Sequence, residues 1–256
     1  MYVVILAAGR GSRLGAGPVP KPLTPIGPGG MTLLGNQVDV LSRTVGRDRI
    51  AVVVGYEAKQ VIDAHPDLLY VHNDRYASTN TARSLLAALP KFDDDVMWIN
   101  GDLYFEEPAV RLLLQTHPDS SRTLVDRSRT GEEEIKYTLF PDGSIDQISK
   151  TVSGTPLGES LGMQVVTRDD RPRLIEALQH TGDRDYFEKA MELCTQARSI
   201  RLMPVDVGQQ FCMEVDFPQD LERVRRHVEA RLQGGAGAGP NAVSTSTPPA
   251  AFRTPA

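Results

Sequence analysis

Cysteine is nearly missing from this sequence. Cys194 and Cys212 are the only two, and the five histidines are scattered, so neither a disulfide framework nor a zinc cluster is indicated. Positive charge is also in short supply: 28 Lys and Arg stand against 33 Asp and Glu, a formal net charge of -5, which removes the electrostatic reason to expect nucleic acid or an anionic membrane as partner. Long apolar runs are lacking too. Nothing approaches the ~20 residues of a membrane span, and the opening YVVILAA is too short, and too poorly flanked by basic residues, for a secretory leader. A cytoplasmic protein with reduced thiols is expected. The single tryptophan, Trp98, lies inside VMWIN and belongs to the core by burial tendency.

What is present is a chain of 256 residues, 40% hydrophobic, enough for one sizeable core. From Gln233 the text becomes GGAGAGPNAVSTSTPPAAFRTPA, with almost nothing to bury; residues 233–256 read as a disordered tail and 1–232 as the folded domain. Within the domain, apolar runs alternate with helical patterns. YVVILAA precedes TLLGNQVDVLSRTV, IAVVVGY precedes EAKQVIDAH, LYVHN precedes ARSLLAAL, and VMWING precedes PAVRLLLQTH. Continuous rather than alternating hydrophobicity in the strands predicts an α/β sheet covered on both faces. After Asp119 the pattern shifts to EIKYTLFPDGSIDQISK, where PDGS predicts a turn in a small antiparallel extension. The last unit runs through FCMEVDF into a helix that opens at Pro218 with Asp220 in its first turn.

In an open α/β sheet, ligands bind beyond the carboxyl ends of the strands, which makes the loop after YVVILAA the first place to look. Gly9, Gly11 and Gly15 let backbone N–H groups approach an anion, and Arg10, Arg13 and Lys21 supply cationic donors. The loop is therefore a candidate polyphosphate cradle. It meets neither well-known phosphate rule: the third glycine falls one residue late for the dinucleotide fingerprint, and Pro20, not glycine, precedes Lys21. Pro20 and Pro22 stiffen the backbone on both sides of Lys21. Asp102, following VMWIN at a glycine, and Asp216, ending FCMEVD, each stand just past an apolar strand. Taken singly, the first reads equally as a turn residue and the second as a helix cap.

LAAGRGSRL followed by PKPL resembles the signature of the sugar-phosphate nucleotidyltransferase-like enzymes. YASTNTARSLLAAL, INGDLYFEE, EEIKYTLFPDGSIDQISK, GESLGM, YFEKAMEL and FCMEVDFPQDL match in order up to about Leu232. The set is most similar to the subgroup of phosphocholine, inositol-phosphate and phosphonate cytidylyltransferases.

The resemblance implies a GT-A-like, Rossmann-like mixed sheet, mostly parallel, with helices on both faces and a small antiparallel extension. It implies CTP as nucleotide partner, a small phosphate or phosphonate as acceptor, and Mg²⁺ held by Asp102 and Asp216. It assigns Lys21 and Arg13 to triphosphate charge, and Leu6, Ala7, Ala8, Gly9, Gly11, Ser12, Asn80, Ser84 and Gly101 to nucleotide contacts. Lys136, Lys150, Glu159 and Glu214 fall to the acceptor.

The short GAGPV segment before Pro20 disfavours a sugar acceptor, since sugar-type members usually carry a longer loop there. Arg127, Arg129, Lys136 and Lys150 suit an acceptor with a second negative group, such as phosphonoformate. Phosphocholine, inositol phosphate, a sugar 1-phosphate and a non-catalytic regulatory role are the alternatives. Transfer of a nucleoside monophosphate needs positioning and charge neutralisation more than proton transfer, because a phosphate acceptor is already largely anionic near neutral pH. That chemistry accounts for the lack of a catalytic triad. Glycosyl transfer is disfavoured because Asp102 stands in GDL rather than in a D-x-D motif, while the run Asp93–Asp95 precedes a strand.

Overall fold

The apolar runs become strands whose side chains alternate between two cores. The computed structural model describes residues 1–11, 14, 19–128, 131–132 and 134–235. The first half of the chain folds as β1 (Tyr2–Leu6), α1 (Leu33–Thr44), β2 (Ile50–Val54), α2 (Ala58–Ala64), β3 (Leu69–His72), α3 (Thr81–Ala88) and β4 (Val96–Asn100). Next come β5 (Leu103–Phe105), α4 (Glu107–Gln115), β6 (Ser121–Asp126), β7 (Lys136–Leu139), β8 (Ile145–Ser149) and β9 (Glu159–Val166). The chain closes with α5 (Arg171–Gln179), α6 (Phe187–Gln196), β10 (Leu202–Asp206), β11 (Cys212–Glu214) and α7 (Pro218–Gly235).

The main sheet has the order β10-β6-β9-β4-β1-β2-β3, with the β7–β8 hairpin joined at β9. β1 pairs parallel with β2 and β4, β2 with β3, and β6 with β10; β9 runs antiparallel between β4 and β6. Along β1, Val3 and Ile5 pack with residues of α1 and α4, whereas Val4 and Leu6 pack with residues of α3, α5 and α6. Two helical layers thus require strands apolar on both faces. Trp98 is buried and meets Phe187 edge-on, ring centroids 5.6 Å apart.

Local chemistry sets several boundaries. Thr32 caps α1 by accepting a bond from Gly35 N–H at 3.0 Å. In the PDGS turn, Asp142 Oδ1 accepts from Ser144 N–H at 3.0 Å while Gly143 takes φ +81°, a left-handed geometry suited to glycine. α7 continues through Gly235, so residues 233–235, expected in the tail, are helical; the remainder of the expected tail lies outside the described residues. Among the described residues, no helix is long and apolar enough to cross a membrane.

Candidate active site

Asp102 and Asp216 lie 114 positions apart in sequence, and the short β5–β11 sheet brings them together. Leu103 pairs with Glu214 in that sheet, and Val215 N–H donates to the Asp102 carbonyl at 2.9 Å. A third core, including Tyr104, Met213, Val224 and Val228, holds the two strands against α7. Asp216 is fixed from behind. Asp220, in the first turn of α7, accepts from the N–H groups of Asp216 and Phe217 at 3.2 and 2.9 Å. Asp102 is placed by Gly101, whose N–H donates to the Leu6 carbonyl at 3.0 Å, and where any Cβ would lie 2.8 Å from that same oxygen. Gln37 of α1 braces the bend with bonds to the carbonyls of Asn100 and Leu103.

Lys21 joins the two carboxylates. Its Nζ lies 2.7 Å from Asp102 Oδ2 and 2.7 Å from Asp216 Oδ1. The lysine begins a short 3-10 turn after Pro20 and is only 9% exposed. Burial works against the ammonium, but Asp102 and Asp216 outweigh it and hold its pKa above the ordinary value. Asp102 Oδ1 is buried with no hydrogen-bond partner. An orphaned carboxylate oxygen, with a second carboxylate across a shared cation, is a donor set suited to a hard divalent ion that completes its shell with substrate oxygens and water. Among the described residues no group of three or more Asp, Glu, His or Cys side chains is gathered as a metal cage.

Leu6, Ala7, Gly9, Gly11, Lys21, Asn80, Gly101 and the two aspartates line one cavity of about 270 Å³. A side recess of about 60 Å³ continues from it past Ala8 and Gly9 to Asn73, Asn80 and Ser84. Asn80 caps α3, accepting from Thr81 N–H at 2.9 Å, and its side chain also borders both spaces. Ser84 and Asn73 are both buried, and Asn73 Nδ2 donates to Ser84 Oγ at 3.0 Å. Asn73 was not singled out in the sequence: it lies just beyond β3, where only its position at a strand end could have signalled it. Ser12, Arg13 and Arg129 lie outside the described residues. Arg10 sits over the Tyr56 ring, 5.3 Å from its centroid.

A second cavity of about 270 Å³ adjoins the first, sharing Asn100, Tyr186, Glu214 and Asp216 with it. Of the residues expected at the acceptor, Lys150, Glu159 and Glu214 line this second space. Lys136 does not. Its ammonium donates to the carbonyls of Glu132 and Lys150 at 3.0 and 3.1 Å, which ties the hairpin ends together. Arg127 pairs with Asp206 at 3.7 Å.

The cavity is predominantly acidic: Glu134, Glu159, Glu188, Glu214, Asp216 and Asp220 line it against Lys150 and Arg223. Glu188 was missed although it stands in the quoted stretch YFEKAMEL; α6 turns it inward, buried, with Oε2 lacking a hydrogen-bond partner. Burial pushes its carboxyl up to about 7. Glu214 accepts from Asn100 Nδ2 at 2.9 Å, and burial, aided by the neighbouring charge of Asp102, pushes it up to about 8. The Asp93–Asp95 run lies at the other end of β4, where Asp93 pairs with Arg168 and Arg171 at 2.8 and 2.9 Å.

The sequence matches the family described as MobA-like NTP transferase domain over residues 3–196. It is 36% identical over 132 residues to CMP-5'-(3-aminopropyl)phosphonate synthase of Streptomyces rubellomurinus, covering 48% of this chain and 20% of that protein. It is 31% identical over 121 residues to bifunctional protein GlmU of Methanococcus maripaludis, covering 44% of this chain and 28% of that protein. The chain thus spans well under half the length of these curated relatives. In fold it is similar to the inositol-1-phosphate CTP transferase of T. maritima, at 18% identity and TM-score 0.71, with 89% of this chain and 96% of that one covered. It is likewise similar to the CTP:phosphocholine cytidylyltransferase of Streptococcus pneumoniae, at 18% identity and TM-score 0.70, with 89% and 98% covered.

Proposed function

The chain belongs to the MobA-like NTP transferase family, and on that premise we propose that it transfers CMP from CTP to a small phosphonate or phosphorylated alcohol, releasing pyrophosphate. The observation that carries this reading is the pair of adjoining cavities that meet at Asp216 and Glu214, with Lys21 and Asp102 on the nucleotide side. Such an arrangement holds two anionic substrates against each other, and approximation is the largest part of what phosphoryl-type transfer asks of a protein.

Asp102 and Asp216 would hold Mg²⁺, which supplies neutralisation of charge on the phosphate oxygens. Lys21 contributes a cation to the triphosphate. The recess at Asn73, Asn80 and Ser84 offers amide and hydroxyl groups of the kind that read a base or ribose. CTP as the nucleotide rests on the resemblance of the whole motif set and on the named activities of the relatives.

For the acceptor, the expectation of phosphonoformate rested on Arg127, Arg129, Lys136 and Lys150. Of these, only Lys150 lines the second cavity among the described residues. Even with Glu188 and Glu214 pushed toward their protonated forms, Glu134, Glu159, Asp216 and Asp220 outnumber Lys150 and Arg223 there, which supports instead an acceptor whose far end carries an ammonium group. The compound that names the Streptomyces relative joins CMP to an aminopropylphosphonate, whose far end is an amine.

The test is a pyrophosphate-release screen with Mg²⁺. It crosses the four common nucleoside triphosphates with 2-aminoethylphosphonate, 3-aminopropylphosphonate, phosphocholine, phosphonoformate, inositol 1-phosphate and glucose 1-phosphate. CTP with an ammonium-bearing acceptor is expected to be fastest. Absence of release with every pair defeats the transferase reading, and preference for phosphonoformate defeats the ammonium reading alone.

A further inference from the structure

The position of Lys21 raises a question that charge neutralisation of a triphosphate leaves open: its ammonium sits directly between the two carboxylates that would hold the metal. Both contacts are 2.7 Å; the lysine is buried and the two aspartates half-buried, so the triad lies in the cavity wall rather than on the open surface. Glu214 stands beside the triad as a further acidic group. Without a cation there, Asp102 and Asp216 would face each other across the distance of a single bridging ion, an arrangement that like charges resist. A divalent ion chelated by the same two oxygens, Asp102 Oδ2 and Asp216 Oδ1, would take the position that the Lys21 ammonium holds, 2.7 Å from each. One position cannot hold both cations.

We propose that Lys21 is the resting counter-ion of Asp102 and Asp216, and that a divalent cation enters only when a polyphosphate draws Lys21 away, so metal and nucleotide load together. The alternative seat lies along the same cavity wall. Lys21 shares that wall with Gly9 and Gly11, and its stem passes Gly11, the residue whose lack of a Cβ leaves room for it. Pro20 and Pro22 restrict the backbone, which leaves the side chain to make the move. A phosphate oxygen is the one substrate group that can take over the ammonium's hydrogen bonds without leaving it buried and unpaired. By linkage, each ligand then raises the affinity of the other by the same factor. The inference rests on the nucleotide reading of this cavity, but its test needs no turnover.

The experiment uses the full chain and Mn²⁺ as a paramagnetic probe, with free ion followed by electron paramagnetic resonance and folding by circular dichroism. Wild-type protein alone is expected to bind Mn²⁺ weakly and to show no thermal shift with it. Lys21→Met and Lys21→Gln are expected to bind Mn²⁺ alone at least about tenfold more tightly, since a competing cation has gone. If removal of the lysine unfolds the protein, Mn²⁺ is expected to restore folding in its place. Equal Mn²⁺ affinity in wild type and both variants overturns the proposal, as does a variant that stays unfolded with Mn²⁺. A failed pyrophosphate screen leaves this outcome untouched, so the two readings fail separately.

Discussion

Gly11 and Lys21 occupy each other's space: a Cβ built on Gly11 would lie 2.5 Å from Lys21 Cβ and 2.7 Å from Cδ, and Gly11 itself takes φ +63°. The glycine therefore does two things at once. It adopts a backbone that L side chains rarely take, and it leaves the channel through which the lysine stem reaches Asp102 and Asp216.

Gly11→Ala is expected to push the Lys21 stem aside and so misplace its ammonium both for the two carboxylates and for a triphosphate. A misplacement of this kind costs on the order of 100-fold in turnover, while stability falls by only about 1–2 kcal/mol. Steady-state kinetics beside a denaturant melt checks the split. Wild-type turnover in a folded Gly11→Ala protein contradicts the geometry given to Lys21.

Asp102→Asn and Asp216→Asn should each lower kcat by about 100-fold or more by weakening a hard-cation site. With both carboxylates on one ion, as proposed, the double variant should be far less than multiplicatively worse. A rate for the double variant equal to the product of the two losses would show that the carboxylates act independently.

Glu188→Gln should raise KM for an ammonium-bearing acceptor by about tenfold, the effect of one charge-assisted hydrogen bond, and leave KM for CTP unchanged. The paired measurement matters. A rise in both constants would mean that the substitution disturbs α6 rather than the second cavity alone.

The same carboxyl carries a pH signature. Its folded-state value of about 7 lies above the ordinary 4.5, so the folded protein holds this proton more tightly than the unfolded chain. The resulting stability is fully present below about 4.5 and is lost as pH rises through 7. Glu188→Gln lacks that loss, so its melting temperature, measured against wild type, should gain several degrees (about 2–4 °C per kcal/mol) between pH 5 and pH 8. A constant difference across that range refutes the assignment.

Arg122 offers a control with the opposite profile. It is 2% exposed, and its guanidinium donates to the carbonyls of Leu113, Ser120 and Pro118 at 2.6, 2.8 and 3.2 Å. It thereby closes the end of α4. Arg122→Met should cost about 3 kcal/mol of stability by orphaning these acceptors, with both KM values preserved in the folded fraction. Thermal melts and kinetics on one preparation settle it.

Much of this molecule was legible in its sequence. The unbroken apolar strands announced a sheet with two helical layers, because a strand buried on both faces has no polar side to show. PDGS announced its own turn through the backbone needs of Gly143 and the acceptor side chain of Asp142. Asp102 and Asp216 could be nominated because each follows an apolar strand, the position where an open sheet presents side chains to a ligand. β9 was not foreseen: an antiparallel strand inserted between β4 and β6 leaves no local mark, since its partners are chosen by distant pairing. The basic residues picked out for an acceptor are mostly not the ones that the second cavity gathers, for a related reason. Lys136 and Arg127 looked available in the sequence, but Lys136 is spent on carbonyls and Arg127 on Asp206, while Glu188 is turned inward by a helix. Residue types and local backbone demands are written along the chain. Which charges end up facing one another depends on contacts between remote segments, and here those contacts set Lys21 between two aspartates and made the second cavity acidic.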